Sequence, residues 1–467
     1  MQARHLLPIL ALAILGAIPA FAQTTTPAGA APAAPARGGA ASAPARGAAR
    51  GGGRAAPAGG GAALTQKTFK FSFGTGKTPE GFTQVTPDTA YATGKWGFDM
   101  NTKPTALPNG GVFSTTPFAF SVDVPEGNYK VTVTVGDPAP GGGESTTTFL
   151  AESRRLMIEK VHTDAGKTAT VDFIVNVRNS KLPAPPANAP GGAEVRLNSL
   201  DNPLTWDDKL TLGFTNSRPC IDTIEIEPVT VPTIFIMGDS TVTDQPGDPG
   251  ASWGQMLPVF FKDTVAVANH ATSGETMKSG ITGLRLDKVL SQMKPGDYLL
   301  MQFGHNDEKA SWPQTYVDPA TTFKAYIGAY IAEARRKGAT PVIISMMERS
   351  NTALDGNSHA GFPQAYQEVA VEQKVAFIDN WKNSKIMYAA MGPDKAQAFN
   401  DATHHRTYGA YEIAKLVAQG LRDNKLPIAA QLRDDFTVFD PAKPDKAASF
   451  TVPLNLSNRG RPPQGTN

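Results

Sequence analysis

Four short polar clusters in this chain of 467 residues carry side chains suited to acyl transfer. Gly238-Asp239-Ser240 ends one apolar run; Asn269, with Ser273-Gly274 beyond it, follows a second. Gly304-His305-Asn306-Asp307 follows a third, and Asp401-Ala402-Thr403-His404 precedes a helical stretch. A serine hydroxyl is a poor nucleophile until a base removes its proton. His404 can be that base, and Asp401, three residues earlier, can hold the imidazole tautomer and stabilise its charged form. The backbone N–H groups of Ser240 and Gly274 and the side-chain amide of Asn306 can donate to a developing oxyanion, at about 3 kcal/mol each. Gly274 suits this role because an amide without a side chain approaches substrate closely.

Each residue also has a plainer reading. Ser240 can satisfy the backbone of a following helix, Asn306 and Asp307 can cap one, and Asp401 to His404 can be a surface turn. His305 can be a packed, satisfied ring, and Asp239 reads as a turn residue accepting backbone hydrogen bonds. Placement of all of them after successive strands favours the chemical reading. Gly250-Ala251-Ser252-Trp253-Gly254 matches G-x-S-x-G, but loop precedes it where a strand is required. Ser252 is therefore expected to open a helix through Gln255–Phe261. A metal site would draw on Asp401, His404 and His405, with His305 or His270. No H-E-x-x-H or paired-cysteine spacing supports it, so a metal is not expected, and His405 should point away from His404. Cys220, the one cysteine, lies in the strand-like RPCIDTIEIEP and reads as inert and buried, with no disulfide.

The elements that must position these groups follow from composition and period. A net charge of +2 implies no strong electrostatic partner, and no basic stripe interleaved with aromatics points to nucleic acid. Residues 1–22 have a basic start, an apolar core and a small-x-small end, which reads as a secretory signal peptide. That core is too short for a membrane span, so the mature protein is expected outside the cytoplasm, periplasmic or extracellular. Residues 23–63, rich in Ala, Gly and Pro, read as a disordered linker. From 64 to 229 the period is two: FKFSF, FAFSVDV, YKVTVTV, ATVDFIVNV, KLTLGF and IDTIEIE suggest an antiparallel β-sandwich. From 230 to 427, TIFIM, TVAVA, YLLMQF, PVIIS and VAFID alternate with helical segments, the last at Tyr408–Leu421. That pattern predicts α/β architecture with a parallel sheet, whose strand ends share one edge. Residues 428–467 read as a Pro-rich C-terminal extension of unassigned packing.

With these residues in hand, the blocks resemble the SGNH (GDSL-like) hydrolase superfamily: Ser240 in MGDST, Gly274 in NHATSG, Asn306 in FGHND and His404 in DATH. GDSTVTDQ, WGQMLP, KPGDYLLMQFGHND and the last block followed by GAYEIA are similar to rhamnogalacturonan acetylesterases, over about 232–427. Upstream, TPDTAY, PEGNYKVTVTVGD and AESRRLMIE resemble the β-sandwich (galactose-binding-like) domain of two-domain bacterial members. The resemblance implies a three-layer flavodoxin-like fold, no metal or cofactor, and deacetylation of pectic polysaccharide. It implies Ser240 as nucleophile, His404 as base, Asp401 as its partner, and an oxyanion hole of the Ser240 amide, Gly274 and Asn306. One departure stands out: Glu275-Thr276 replaces the Arg-Ser that many relatives carry after the second-block glycine. Glu275 is expected to put negative charge near the cleft mouth, which weakens the case for an anionic galacturonate chain and keeps acetylated xylan open. A lipid esterase and a non-catalytic carbohydrate-binding protein are the rival readings. Trp96 and Trp206 are candidate sugar platforms, with core packing the preferred alternative.

Overall fold

The run Thr233–Gly238 is buried along its whole length, because it lies inside a five-stranded parallel sheet covered on both faces. The strands order as Ala266–Asn269, Thr233–Gly238, Tyr298–Gln302, Thr340–Ile344 and Ala376–Ile378. That is order 2-1-3-4-5, the flavodoxin-like arrangement. Ile234 and Ile236 point into one apolar cluster with Leu300, Val342 and the helix Thr407–Asp423. Phe235 and Met237 point into another with Leu299, Met301 and the helices Thr322–Arg336 and Phe362–Gln373. The alternation of a strand's side chains thus builds a three-layer core. The structure is a computed structural model in which residues 65–454 and 456 are described. The leader read at 1–22 and the linker at 23–63 lie outside the described residues, as do Asn455 and residues 457–467 of the C-terminal extension.

Register sets the site. Ile236 pairs with Asn269 and Gly238 with Gln302, so the polar residues after each run emerge at one edge. Gly238 must be glycine: a Cβ there would sit 2.5 Å from the Gln302 carbonyl oxygen and 2.6 Å from Val242 Cγ2.

The front half contains a seven-stranded and a five-stranded sheet. They share one cluster that includes Phe71, Phe120, Val133, Phe149, Phe214 and Ile224. Pairing is antiparallel except between Phe69–Phe73 and Thr83–Val85. Six strands escape the period-two reading: four short ones between Thr83 and Phe113, and two long ones, Ser145–Ala151 and Arg155–Thr163. Of the long pair, the first is threonine-rich and the second begins with a buried arginine. The expected helix after Ser252 is shorter than read: an α-turn at Trp253–Met256 passes into a 3-10 turn at Leu257–Phe260, where Pro258 supplies no N–H. The C-terminal extension packs on both halves. Phe439, Val452, Leu454 and Leu456 join the cluster beneath Thr407–Asp423, and the Thr215 hydroxyl donates to Pro453 O at 2.8 Å. No helix among the described residues is long and apolar enough to cross a membrane.

Ile236, fully buried at the sheet centre, should be expensive to truncate. Ile236→Ala is expected to lower the unfolding free energy by about 2–5 kcal/mol in urea melts. Val371→Ser, at a position 80% exposed, should stay within about 0.5 kcal/mol.

Candidate active site

Ser240 sits just past the strand Thr233–Gly238, and its Oγ lies 2.8 Å from His404 Nε2. His404 Nδ1 lies 2.8 Å from Asp401 Oδ2. Asp401 Oδ1 accepts the backbone N–H groups of Thr403 at 2.7 Å and His404 at 2.8 Å. Asp401 and His404 therefore share a tight turn ahead of the helix Thr407–Asp423, and the same carboxylate that shapes the turn grips the ring. With Nδ1–H donated to Asp401, the Nε2 lone pair faces the serine hydroxyl. Partial burial pushes the Asp401 carboxyl up, but the N–H groups of His404 and Thr403 and the imidazole outweigh it, and the group lies below its ordinary pKa.

The loop carrying Ser240 is held by buried polar groups. Asp239 Oδ1 accepts from the Thr241 N–H at 2.9 Å and its hydroxyl at 2.8 Å, the loop-holding role expected of it. Gln302 Nε2 donates to Thr241 Oγ1 at 2.7 Å while its Oε1 accepts from Trp253 Nε1 at 2.8 Å. Asn269 Nδ2 donates to Val242 O and to Asp244 Oδ1, both at 2.9 Å. The Ser240 carbonyl accepts from Ser252 Oγ at 2.7 Å and Gln245 Nε2 at 2.6 Å. Ser252 occupies the helix N-cap position, yet its hydroxyl makes no capping bond and braces the Ser240 loop instead. Sequence reasoning missed Gln302, Trp253 and Gln245, because nothing local marks a hydrogen bond across the sheet.

Among the described residues, no backbone acceptor engages the N–H of Ser240 or of Gly274. Gly274 has φ +79°, in the left-handed region that favours glycine. Asn306 is buried; its Nδ2 donates to Glu275 O at 3.0 Å and its Oδ1 accepts from Lys309 Nζ at 2.9 Å. One amide hydrogen of Asn306 remains for another acceptor.

Several expectations change. Glu275 does not charge the cleft mouth: it is buried and ion-paired to Arg285 Nε at 2.7 Å. The Ser279 hydroxyl donates to its other oxygen at 2.7 Å, and Arg285 also holds Asp201. A buried carboxylate needs such a partner, so its charge is spent inside the fold. Asp307 Oδ1 caps Met277 N at 2.9 Å and its Oδ2 accepts Gly304 N at 3.0 Å, tying the second block to the third. Burial pushes its carboxyl up to about 7. His305 is packed against His359 with ring centroids 4.9 Å apart, but neither ring nitrogen has a protein partner among the described residues. His405 turns away from His404, as expected, and meets the Tyr388 hydroxyl at 2.8 Å; burial drives its pKa down to about 3. The metal set weighed from sequence does not assemble. Among the described residues His305, Glu308 and His359 do bring ligand atoms within 4.8 Å of one another, but Glu308 already carries the Arg349 guanidinium at 2.5 Å. Cys220 is buried, and burial raises its thiol pKa. The Trp206 ring centroid lies 4.7 Å from the Arg178 guanidinium carbon and 4.9 Å from that of Arg285, and Trp96 packs on Phe71 at 5.1 Å.

Asp401→Ala removes the group that orients His404. It is expected to lower turnover of an aryl acetate by about 10³-fold or more, read as kcat in a steady-state assay.

The sequence pattern of the GDSL-like Lipase/Acylhydrolase family matches residues 236–410. The chain is 34% identical over 220 residues to the rhamnogalacturonan acetylesterase RhgT of Bacillus subtilis (strain 168), covering 43% of this chain and 93% of that one. It is 26% identical over 384 residues to the uncharacterized esterase YxiM of the same organism, covering 77% of this chain and 92% of YxiM. A crystal structure of the YxiM protein aligns with TM-score 0.42 and 23% identity, over 77% of this chain and 99% of its own. The family pattern and the relative at 34% identity show that the chain belongs to the GDSL-like lipase/acylhydrolase family of the SGNH superfamily and is a carboxylic ester hydrolase.

Proposed function

We propose that this protein is an exported serine esterase that removes acetyl groups from plant cell-wall polysaccharide, with rhamnogalacturonan the first candidate. The observation that carries the reading is the unbroken hydrogen-bond chain Ser240–His404–Asp401, with 2.8 Å at each link. In this reading His404 takes the Ser240 proton as Oγ attacks the acetyl carbonyl. The tetrahedral oxyanion is held by the N–H groups of Ser240 and Gly274 and the Asn306 amide. Collapse expels the sugar hydroxyl, protonated by His404, and leaves acetyl on Ser240. His404 then deprotonates water, which releases acetate and restores the hydroxyl. Asp401, ionised well into the acid range, stabilises the imidazolium in both halves of the cycle.

Three observations support a carbohydrate substrate. Relatives with 34% identity are named rhamnogalacturonan acetylesterases. The Glu275 carboxylate, the one residue that spoke against an anionic chain, is neutralised by Arg285. Next to Asn306, Lys309 lies 4.0 Å from the centroid of the Trp312 ring, which places a cation and an exposed aromatic face beside the candidate oxyanion donor. Residues 1–22 support export, and the paired sheets of the front half are read as a galactose-binding-like module.

Ser240→Ala is expected to abolish hydrolysis of an aryl acetate without changing the circular dichroism spectrum; an unchanged rate in that variant would falsify the assignment. The intact enzyme should turn over aryl acetate far faster than aryl decanoate and release acetate from acetylated pectin. Preference for the decanoate would favour the lipid-esterase reading, and release confined to acetylated xylan would move the substrate class.

A further inference from the structure

The segment Ala151–Arg155, AESRR, turns between the strands Ser145–Ala151 and Arg155–Thr163 of the front half. Glu152 at this turn has φ +64°, a left-handed conformation that a glutamate adopts at some cost. The turn lies in the other half of the chain from Ser240, yet its two consecutive arginines reach the loop that carries the serine. Both are buried.

Arg154 and Arg155 hold different parts of that loop. Arg155 Nη2 lies 2.8 Å from Asp244 Oδ2, and its Nη1 donates to Asn176 O at 3.1 Å. The second Asp244 oxygen accepts from Asn269, which also holds Val242 O. Arg154 Nη1 donates to Gly250 O at 2.7 Å and to Gln245 O at 3.4 Å, and its Nη2 pairs with Asp248. Gln245 in turn donates to the Ser240 carbonyl. Asp244, the Gln245 carbonyl, Asp248 and the Gly250 carbonyl are thereby tied to the front half, and Gln245 links that hold to the Ser240 carbonyl. Burying two guanidinium groups carries a desolvation cost that apolar residues of the same volume would avoid. What apolar residues cannot supply is the planar fork, which fixes direction as well as distance.

We infer that Arg154 and Arg155 are positioning residues for Ser240, so that the front half is an intramolecular clamp on the nucleophile loop and not only a module for holding polysaccharide. The inference rests on the reading of Ser240 as nucleophile. It requires the clamp even for an aryl acetate, which carries no glycan, because the geometry of Oγ and not the grip on a glycan is what the arginines set.

The test uses the full chain with Arg154→Met, Arg154→Lys, Arg155→Met and Arg155→Lys. Lys130→Met is the control: Lys130 Nζ binds Asp263 at 2.9 Å, which links the front half to the segment before Ala266–Asn269 without touching the Ser240 loop. Each variant is assayed on aryl acetate well below its own melting temperature. Arg154→Met and Arg155→Met should lower kcat about a hundredfold while KM stays within about twofold, and both lysine variants should recover only part of the loss. Lys130→Met should lower the melting temperature and leave kcat unchanged. A merely structural role predicts the opposite pattern, with every variant melting earlier and turning over normally while folded. Wild-type kcat in folded Arg154→Met or Arg155→Met overturns the clamp, and if neither folds, wild-type kcat in the two lysine variants overturns it. An equal loss of kcat in Lys130→Met overturns it as well. Ser240→Ala, run alongside, separates the two readings. Activity there removes the nucleophile assignment itself, whereas an inactive Ser240→Ala beside fully active arginine variants removes the clamp alone.

Discussion

The hydrogen bond between Ser240 and His404 joins residues 164 positions apart in the chain. A proton transfer from hydroxyl to imidazole needs heavy atoms within hydrogen-bond reach in a productive direction, so both ends must be held. At the histidine end one carboxylate does two tasks. Asp401 closes the turn through the N–H groups of Thr403 and His404 and also fixes the ring through Nδ1. At the serine end the parallel sheet delivers the residue to the edge, and side chains from three other segments fix its carbonyl and its neighbours. The sheet supplies the coarse placement and the buried polar groups supply the fine one.

Several of the charges taken out of water around the site have an ionic partner. Asp244 faces Arg155, Glu275 and Asp201 face Arg285, and Lys288 faces Glu126. Asp307, whose carboxyl is pushed up to about 7 mainly by burial, still accepts two backbone N–H groups that join the second and third blocks. Breaking one partner of such a pair leaves the other buried and uncompensated, at a cost of several kcal/mol. The pairs that cross between the front half and the parallel layer, Arg155 with Asp244 and Lys288 with Glu126, make the two halves mechanically continuous around the site.

Much of this was legible in the residue order. A parallel strand covered on both faces reads as an uninterrupted apolar run, so TIFIM, YLLMQF and PVIIS announced the sheet. Topology then put Ser240, Gly274, Asn306 and the Asp401–His404 turn at one edge without any knowledge of distances. What stayed hidden were contacts between segments remote in sequence. Glu275 looked like a charge at the cleft because its partner Arg285 lies on a helix whose facing cannot be read from spacing alone. Ser252 looked like a helix cap, and its position is one, but its hydroxyl is taken by the Ser240 carbonyl. The strands Ser145–Ala151 and Arg155–Thr163 were missed for a related reason. Most of their threonines and Arg155 are buried inside the fold, although in a hydropathy pattern they read as surface residues.

The most direct measurement of the central claim is the site of covalent capture by a fluorophosphonate, mapped by peptide mass spectrometry on the intact, active protein. A hydroxyl deprotonated by His404 should be the one that reacts, so a single adduct is expected on the peptide containing Ser240, with loss of esterase activity in proportion to labelling. An adduct on Ser252 or any other residue that accompanies the loss of activity, with Ser240 unmodified, would contradict the account.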